Sequence, residues 1–143
     1  MVAVPGLVRS DDRSIAWTPN LHVDGQRVAE TVEEALGGRC PVDVGNDANC
    51  AAYAESHHGA AVGAEHALYL TGTVGIGAGI VSDGRLLRGA TGFAGEVGHM
   101  PLGDSTAACG CGNRGCWEAT IGLHAMLAAV GMHELDTPVR SAE

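Results

Sequence analysis

The sequence of 143 residues predicts an α/β fold, on three observations. A short apolar run at 41–44 leads through a polar turn into a helical segment, which is the strand–turn–helix order of α/β proteins. Residues 28–36 carry apolar side chains at helical spacing. Residues 67–87 contain apolar runs and a tight turn, which are typical of strands.

In the first third of the chain, Val2–Val4 and Leu7–Val8 are predicted as strands on either side of a Pro-Gly turn. A loop follows. The predicted helix at 28–36 ends at two glycines, and 41–44 is a short strand.

In the rest of the chain, 50–55 is predicted as a helix and 67–71 as a strand. A glycine-rich run leads into a further strand at 80–81, and a Ser-Asp-Gly turn returns the chain as a hairpin through 85–87. Residues 121–130 are predicted as one closing helix.

The composition restricts the kind of partner. A net charge of −9 argues against a nucleic-acid surface within these residues, because phosphate binding needs clustered Lys and Arg. It does not exclude a neighbouring DNA-binding domain. No apolar run approaches the length of a membrane helix, and no secretory signal opens the chain, so we expect a cytoplasmic protein without a membrane span. Because both ends lack a polar fringe, we expect a piece of a larger protein.

One imidazole and three thiols stand close together in the sequence, on His99, Cys109, Cys111 and Cys116. This set is a complete tetrahedral shell for structural zinc. Glycines between the cysteines allow positive-φ turns, so that three sulfurs can converge within eight residues.

The alternative is a set of unrelated or disulfide-bonded thiols. Cys109 and Cys111 are too close in sequence for a relaxed bridge, and the total of five cysteines is odd. A reducing compartment and a metal account better for the pattern. Cys40 and Cys50 fall outside it and are predicted to be buried free thiols.

Asn46 and Asp47 follow a predicted strand and precede a predicted helix. Both residue types cap helices, and this is one interpretation. The other is a carboxylate at the mouth of a cleft that accepts a proton from a substrate hydroxyl, with Asn46 bound to a neighbouring hydroxyl. The residues alone leave both open.

Two carboxylates, Glu96 and Glu118, flank the proposed zinc ligands. They are either solvated side chains or part of a site that zinc draws together with His99. A metal-bound imidazole normally donates its other N–H, and a sugar hydroxyl would be one acceptor.

The glycine-rich run at 72–79 allows backbone amides to approach a phosphate, but it equally marks a tight bend between strands. No Lys follows it as in a Walker loop.

Three stretches together resemble the ROK family of bacterial sugar kinases and sugar-responsive transcriptional repressors. They are the Asn-Asp-Ala-Asn motif at 46–49, the run from 90 to 100, and the cysteine-rich segment from 109 to 118. The resemblance covers nearly the whole chain, and the three stretches follow the family's order and spacing.

The resemblance implies an actin-like, ribonuclease H-like fold of two lobes with a sugar between them. Residues 1–47 would be the remainder of the small N-terminal lobe, and 48–143 part of the large lobe with its zinc loop. It also implies a structural zinc ion, a homodimer, and a hexose or N-acetylhexosamine as ligand. The implied zinc ligands are His99, Cys109, Cys111 and Cys116. The implied sugar-binding residues are Asn46, Asp47, Glu96, His99 and Glu118, with Asn20 a weaker carry-over.

Two departures from kinase members favour the repressor branch. Kinases usually have Gly-Thr-Gly where this chain reads Thr73-Val74-Gly75, and the family's first phosphate loop would lie before Met1. Loss of these parts removes most of the positioning that phosphoryl transfer requires. We therefore expect the sugar-binding segment of a regulator whose helix-turn-helix, the only route to DNA, precedes Met1.

The alternative is a fragment of a sugar kinase. Asp47 would then be the catalytic base. ATP and magnesium would be required, with Gly75 and Gly77 near the nucleotide phosphates.

Overall fold

The computed structural model describes residues 1–18 and 25–132. It contains two compact units. Unit 1 comprises Met1–Tyr69 and Gly79–Gly95, and unit 2 comprises Leu70–Ala78 together with the described residues from Glu96 onwards.

The described chain contains both strands and helices. Their bounds are β1 Val2–Val4, β2 Leu7–Val8, β3 Ile15–Trp17, α1 Val28–Ala35, β4 Val44–Asn46, α2 Asp47–His58, β5 Ala67–Gly72, β6 Ile76–Ser82, β7 Arg85–Leu86, α3 Trp117–Ile121 and α4 Leu123–Ala129. A 3₁₀ turn, Val97–His99, lies between β7 and α3.

In unit 1, β1 and β4 pair in parallel, with Val2 opposite Val44 and Val4 opposite Asn46. Parallel strands need a long crossover connection, and α1 lies within it. β2 and β3 form a separate antiparallel pair. The apolar side chains of these elements form one buried cluster, whose members are Val4, Val8, Ile15, Ala29, Val42 and Val44. The α/β class is therefore confirmed, and the β1–β4 pair places Asn46 at the carboxyl end of its strand.

β5, β6 and β7 form a three-stranded sheet in that order. The predicted hairpin is confirmed, since β6 and β7 are antiparallel. Asp83 and Gly84 connect them with φ values of 52° and 68°. Two positive values are the signature of the turn whose twist suits a hairpin.

Four expectations need correction. The strand predicted at 41–44 is β4, which begins only at Val44 and ends at Asn46. β3 lies where the sequence predicted a loop. α2 begins at Asp47 rather than at residue 50. The predicted helix at 121–130 is two short helices, because Gly122 has extended backbone with ψ of 170°. A Cβ at Gly122 would lie 2.7 Å from the carbonyl oxygen of Glu118 in the preceding turn and 3.4 Å from that of Val74, so backbone packs closely on this residue.

None of the helices in the described ranges has the length and apolar character that a membrane crossing requires.

A candidate metal centre and its neighbouring carboxylates

Four side chains of unit 2 come together as the sequence predicts. The ligand atoms of His99, Cys109, Cys111 and Cys116 all lie within 4.8 Å of one another. Cys109 Sγ is 3.7 Å from His99 Nδ1, and Cys111 Sγ is 3.7 Å from Cys116 Sγ.

These distances fit a tetrahedral zinc shell. With Zn–S bonds of about 2.3 Å and Zn–N bonds of about 2.0 Å, the edges of a tetrahedron are about 3.5 to 3.8 Å. A disulfide would need about 2.05 Å between sulfurs. All five cysteines are free thiols, so the disulfide alternative is wrong for this cluster.

The cysteine-rich turn is held by its own backbone. The N–H of Cys109 donates to the carbonyl of Asn113 at 2.9 Å, and the N–H of Gly112 donates to the carbonyl of Cys109 at 3.0 Å. Gly112 has a φ of 90°, a conformation that disfavours side chains with a Cβ. This closed turn presents the sulfurs of Cys109 and Cys111 on one side.

A second set of backbone contacts connects this turn to the histidine. The N–H of Trp117 donates to the carbonyl of Met100 at 2.9 Å, immediately after His99. Cys116 therefore lies beside the 3₁₀ turn that carries the imidazole. Because Nδ1 of His99 faces Cys109, Nε2 is the nitrogen left for a second partner.

Crowding of the thiols changes their acidity. Burial, followed by the neighbouring sulfurs of Cys109 and Cys111, raises the pKa of Cys116 to about 12. The backbone N–H of Asn113 lowers the pKa of Cys111. Thiols this close resist becoming anions together, and a divalent cation is the species that stabilises several thiolates at one point.

Glu118 lies in the first turn of α3, two residues after Cys116. Its side chain is half-buried, and its Oε2 accepts a hydrogen bond from the backbone N–H of Ile76 at 2.8 Å. Glu96 is exposed and immediately precedes the 3₁₀ turn, and its carbonyl accepts the N–H of His99 at 3.2 Å. Unit 2 thus places a carboxylate close in sequence to a metal-ligand residue at two points.

Asn46 and Asp47 belong to unit 1, at the start of α2. The helix-cap interpretation is confirmed for Asn46, whose Oδ1 accepts the N–H of Asn49 at 3.0 Å. Its Nδ2 donates to the carbonyl of Gly6 at 3.1 Å and to Asp47 Oδ1 at 3.2 Å. Asp47 is exposed, and its Oδ1 also accepts the N–H of Ala48 at 2.9 Å.

The remaining predicted residues have varied surroundings. Asn20 lies outside the described residues. Gly77 lies in β6, and Gly75 lies just before it, beside Glu118. The expectation that Cys40 and Cys50 are buried is wrong: Cys40 is exposed after α1 ends, and Cys50 is half-buried.

One contact near the candidate metal centre is not predicted from the sequence, namely the hydrogen bond from the backbone N–H of Ile76 to Glu118. The two residues are 42 positions apart. Every residue except proline has a backbone N–H, so the sequence does not indicate which one donates. The one available signal was Gly75, whose lack of a side chain admits the carboxylate.

Comparison with known proteins gives a consistent result. A sequence model of the ROK family matches residues 1–141. The xylose repressor of Bacillus subtilis (strain 168) is 36% identical over 133 residues, which are 93% of this chain and 34% of the repressor. The chain therefore spans about a third of the length of this curated relative.

Two solved structures are also similar. A ROK family transcriptional regulator, a homologue of the Escherichia coli MLC protein, has a TM-score of 0.79 and 33% identity. The match covers 90% of this chain and 32% of the regulator. A ROK family glucokinase from Streptomyces griseus, in complex with glucose and AMPPNP, has a TM-score of 0.76 and 34% identity. That match covers 86% of this chain and 39% of the kinase. The fold is thus the actin-like type of these proteins, on a partial chain.

Proposed function

Because the chain belongs to the ROK family, we propose that it is the sugar-binding segment of a carbohydrate-responsive transcriptional regulator. Repressors and regulators stand among its relatives at 36% and 38% identity. Glucokinases are also related, at 32% identity, so the choice between the two classes depends on the residues of this chain.

The observation that carries the proposal is the His-Cys cluster with its neighbouring carboxylates. The cluster offers four protein ligand atoms within 4.8 Å of one another, and a shell filled by protein leaves no open position for a substrate. We therefore assign it a structural zinc ion. Zinc supplies the cross-link that fixes the backbone on either side of His99 and Cys116.

The proposed sugar-binding residues have the chemistry that hydroxyl recognition requires. Carboxylates accept hydrogen bonds from hydroxyls, and Nε2 of a metal-bound imidazole donates one. Asn46 and Asp47 belong to unit 1, and Glu96, His99 and Glu118 belong to unit 2. Asn20 remains a prediction outside the described residues. Assignment of 1–47 to a small lobe and 48–143 to a large lobe is part of the same proposal.

Val74 favours the regulator. Its side chain offers no hydroxyl where kinases usually have Thr, and its carbonyl accepts the N–H of Leu123 at 3.2 Å. In a regulator, the sugar would act by shifting a conformational equilibrium that sets DNA affinity, which needs no phosphoryl transfer. The DNA-binding helix-turn-helix would then lie outside these 143 residues. The whole regulator would be a cytoplasmic homodimer.

The second candidate is a sugar kinase, and Asp47 favours it. Its carboxylate is exposed at a helix start and oriented by Asn46, which suits a base that accepts a hydroxyl proton. A kinase would also need magnesium-ATP, with Gly75 and Gly77 near its phosphates.

Calorimetry and a phosphorylation assay distinguish these candidates. Both assays use the full-length protein that contains these residues. A regulator binds one sugar from a panel of D-xylose, D-glucose and N-acetyl-D-glucosamine, and it forms no sugar phosphate with magnesium-ATP. Phosphorylation that Asp47→Asn abolishes would establish the kinase instead. Asp83→Asn is the matched control, since this exposed Asp lies in the β6–β7 turn.

A further inference from the structure

The carboxylate of Glu118 fits closely against the turn that precedes β6. Ile76 donates its backbone N–H to Oε2 at 2.8 Å. A Cβ built at Gly75 would overlap the same oxygen, so the carboxylate occupies the space of a missing side chain. All three residues belong to unit 2.

The same turn is fixed by contacts on its other sides. Val74 accepts the N–H of Leu123, which follows α3. The carbonyl oxygen of Ile76 lies where a Cβ of Gly98 would be, next to His99. Residue 76 therefore contacts both segments that carry metal ligands, and its N–H points at Glu118 with little freedom.

This hydrogen bond orders a side chain that a bound metal would leave free to rotate. Zinc would fix the backbone at Cys116, but the Glu118 side chain still has rotatable bonds, and ordering such a side chain costs up to about 2 kcal/mol. A hydrogen bond made before the ligand arrives removes much of that cost from binding. A carboxylate has about four acceptor positions, and Ile76 uses one of them.

We propose that Gly75 and Ile76 are positioning residues that orient the Glu118 carboxylate toward one hydroxyl of the bound sugar. The inference rests on the proposed sugar-binding function. It assigns this part of the glycine-rich run to carbohydrate recognition. A carboxylate beside Gly75 also makes the turn a poor place for a phosphate, because both groups are anions.

The first test compares two glycines of this run in the full chain. Gly75→Ala displaces the carboxylate, whereas a Cβ at Gly72 meets only Ile76 Cδ1, at an ordinary 3.5 Å. Calorimetric titration with D-xylose, D-glucose and N-acetyl-D-glucosamine should show binding to Gly75→Ala weakened about 10- to 100-fold, the value of one hydrogen bond to a charged group. Gly72→Ala should bind as the unaltered chain does, and both should keep equal zinc.

A double-mutant cycle separates positioning from general damage. In a Glu118→Ala background the space beside Gly75 is vacant, so adding Gly75→Ala should weaken binding no further. Full additivity of the two losses would overturn the inference. If Glu118→Ala alone leaves every affinity unchanged, the proposed sugar site is wrong as well. If Glu118→Ala weakens binding and Gly75→Ala does not, only the positioning role fails.

Amide hydrogen exchange provides a readout that needs no sugar, and it applies even if Gly75→Ala does not fold. The N–H of Ile76 should exchange faster in Glu118→Ala than in Glu118→Gln, because the Gln side-chain oxygen still accepts the bond. Equal exchange at Ile76 in these two variants would refute the contact on which the inference depends.

Discussion

Replacement of one metal ligand should destabilise unit 2 far more than any neighbouring substitution. Among its described residues, the buried apolar side chains are those of Ala78 and Cys116, so little hydrophobic burial supports it. A methyl group contributes about 0.8 kcal/mol on burial, whereas structural zinc contributes about 10 kcal/mol or more. Metal binding therefore dominates the stability of this unit.

Cys111→Ser isolates that contribution. Because Cys111 is exposed, the change leaves no cavity, and its main effect is loss of a thiolate ligand. If about 10 kcal/mol of zinc-binding free energy is divided equally among the four ligands, loss of one ligand destabilises the unit by roughly 2 to 3 kcal/mol. Full release of the metal makes this destabilisation larger. A small domain then unfolds about 10 °C lower or more.

The assay combines metal analysis with thermal unfolding by circular dichroism at pH 7. Cys40→Ser is the matched control, an exposed cysteine outside the cluster, and it should keep its metal and its midpoint. Asp47→Asn should cost under about 1 kcal/mol, the usual effect of a charge at a helix start. Equal metal content and equal midpoints for Cys111→Ser and Cys40→Ser would refute the reasoning. It would also be refuted if a chelator left the midpoint of the unaltered chain unchanged.

Three further predictions concern single contacts. Asn46→Ala should destabilise the chain by about 1 kcal/mol in chemical unfolding, because α2 loses its cap; an unchanged midpoint would contradict that role. Gly98→Ala should lower the thermal midpoint, since its Cβ would overlap a backbone oxygen, whereas Gly110→Ala meets nothing within 4 Å and should not; equal midpoints would argue against the packing. Hydrogen bonds from the backbone N–H and then the hydroxyl of Thr106 lower the pKa of Asp104, so Thr106→Val should raise that pKa in an NMR titration. With the folded-state pKa lowered, the carboxylate contributes stability above its unfolded pKa and loses it as pH falls through the folded one; a pKa unmoved by Thr106→Val would exclude the hydroxyl as a cause.

Local signals in the sequence predicted the elements that depend on neighbouring residues. The β6–β7 hairpin follows from Asp83 and Gly84, which tolerate positive φ. The metal cluster follows from ligand type and spacing, because few other arrangements suit one His and three Cys. In both cases the information lies within about twenty residues.

Other features depended on pairing and packing that the preferences of the individual residues do not indicate. β3 exists because Ile15 and Trp17 pair with β2 and Ile15 is fully buried, although its flanking residues resemble a loop. The closing helix divides at Gly122, and the next residue, Leu123, donates its N–H to the distant carbonyl of Val74 at 3.2 Å. Tertiary packing overrides local propensity at both places.

The close passage of backbone against backbone in unit 2 has a consequence for laboratory evolution of this protein. At Gly98, Gly103 and Gly122 the added bulk of a single methyl group would collide with a neighbouring residue, so a saturation library should tolerate almost no replacement there. Selection for a new ligand would have to recruit changes from the rim of the unit and leave these crossings untouched.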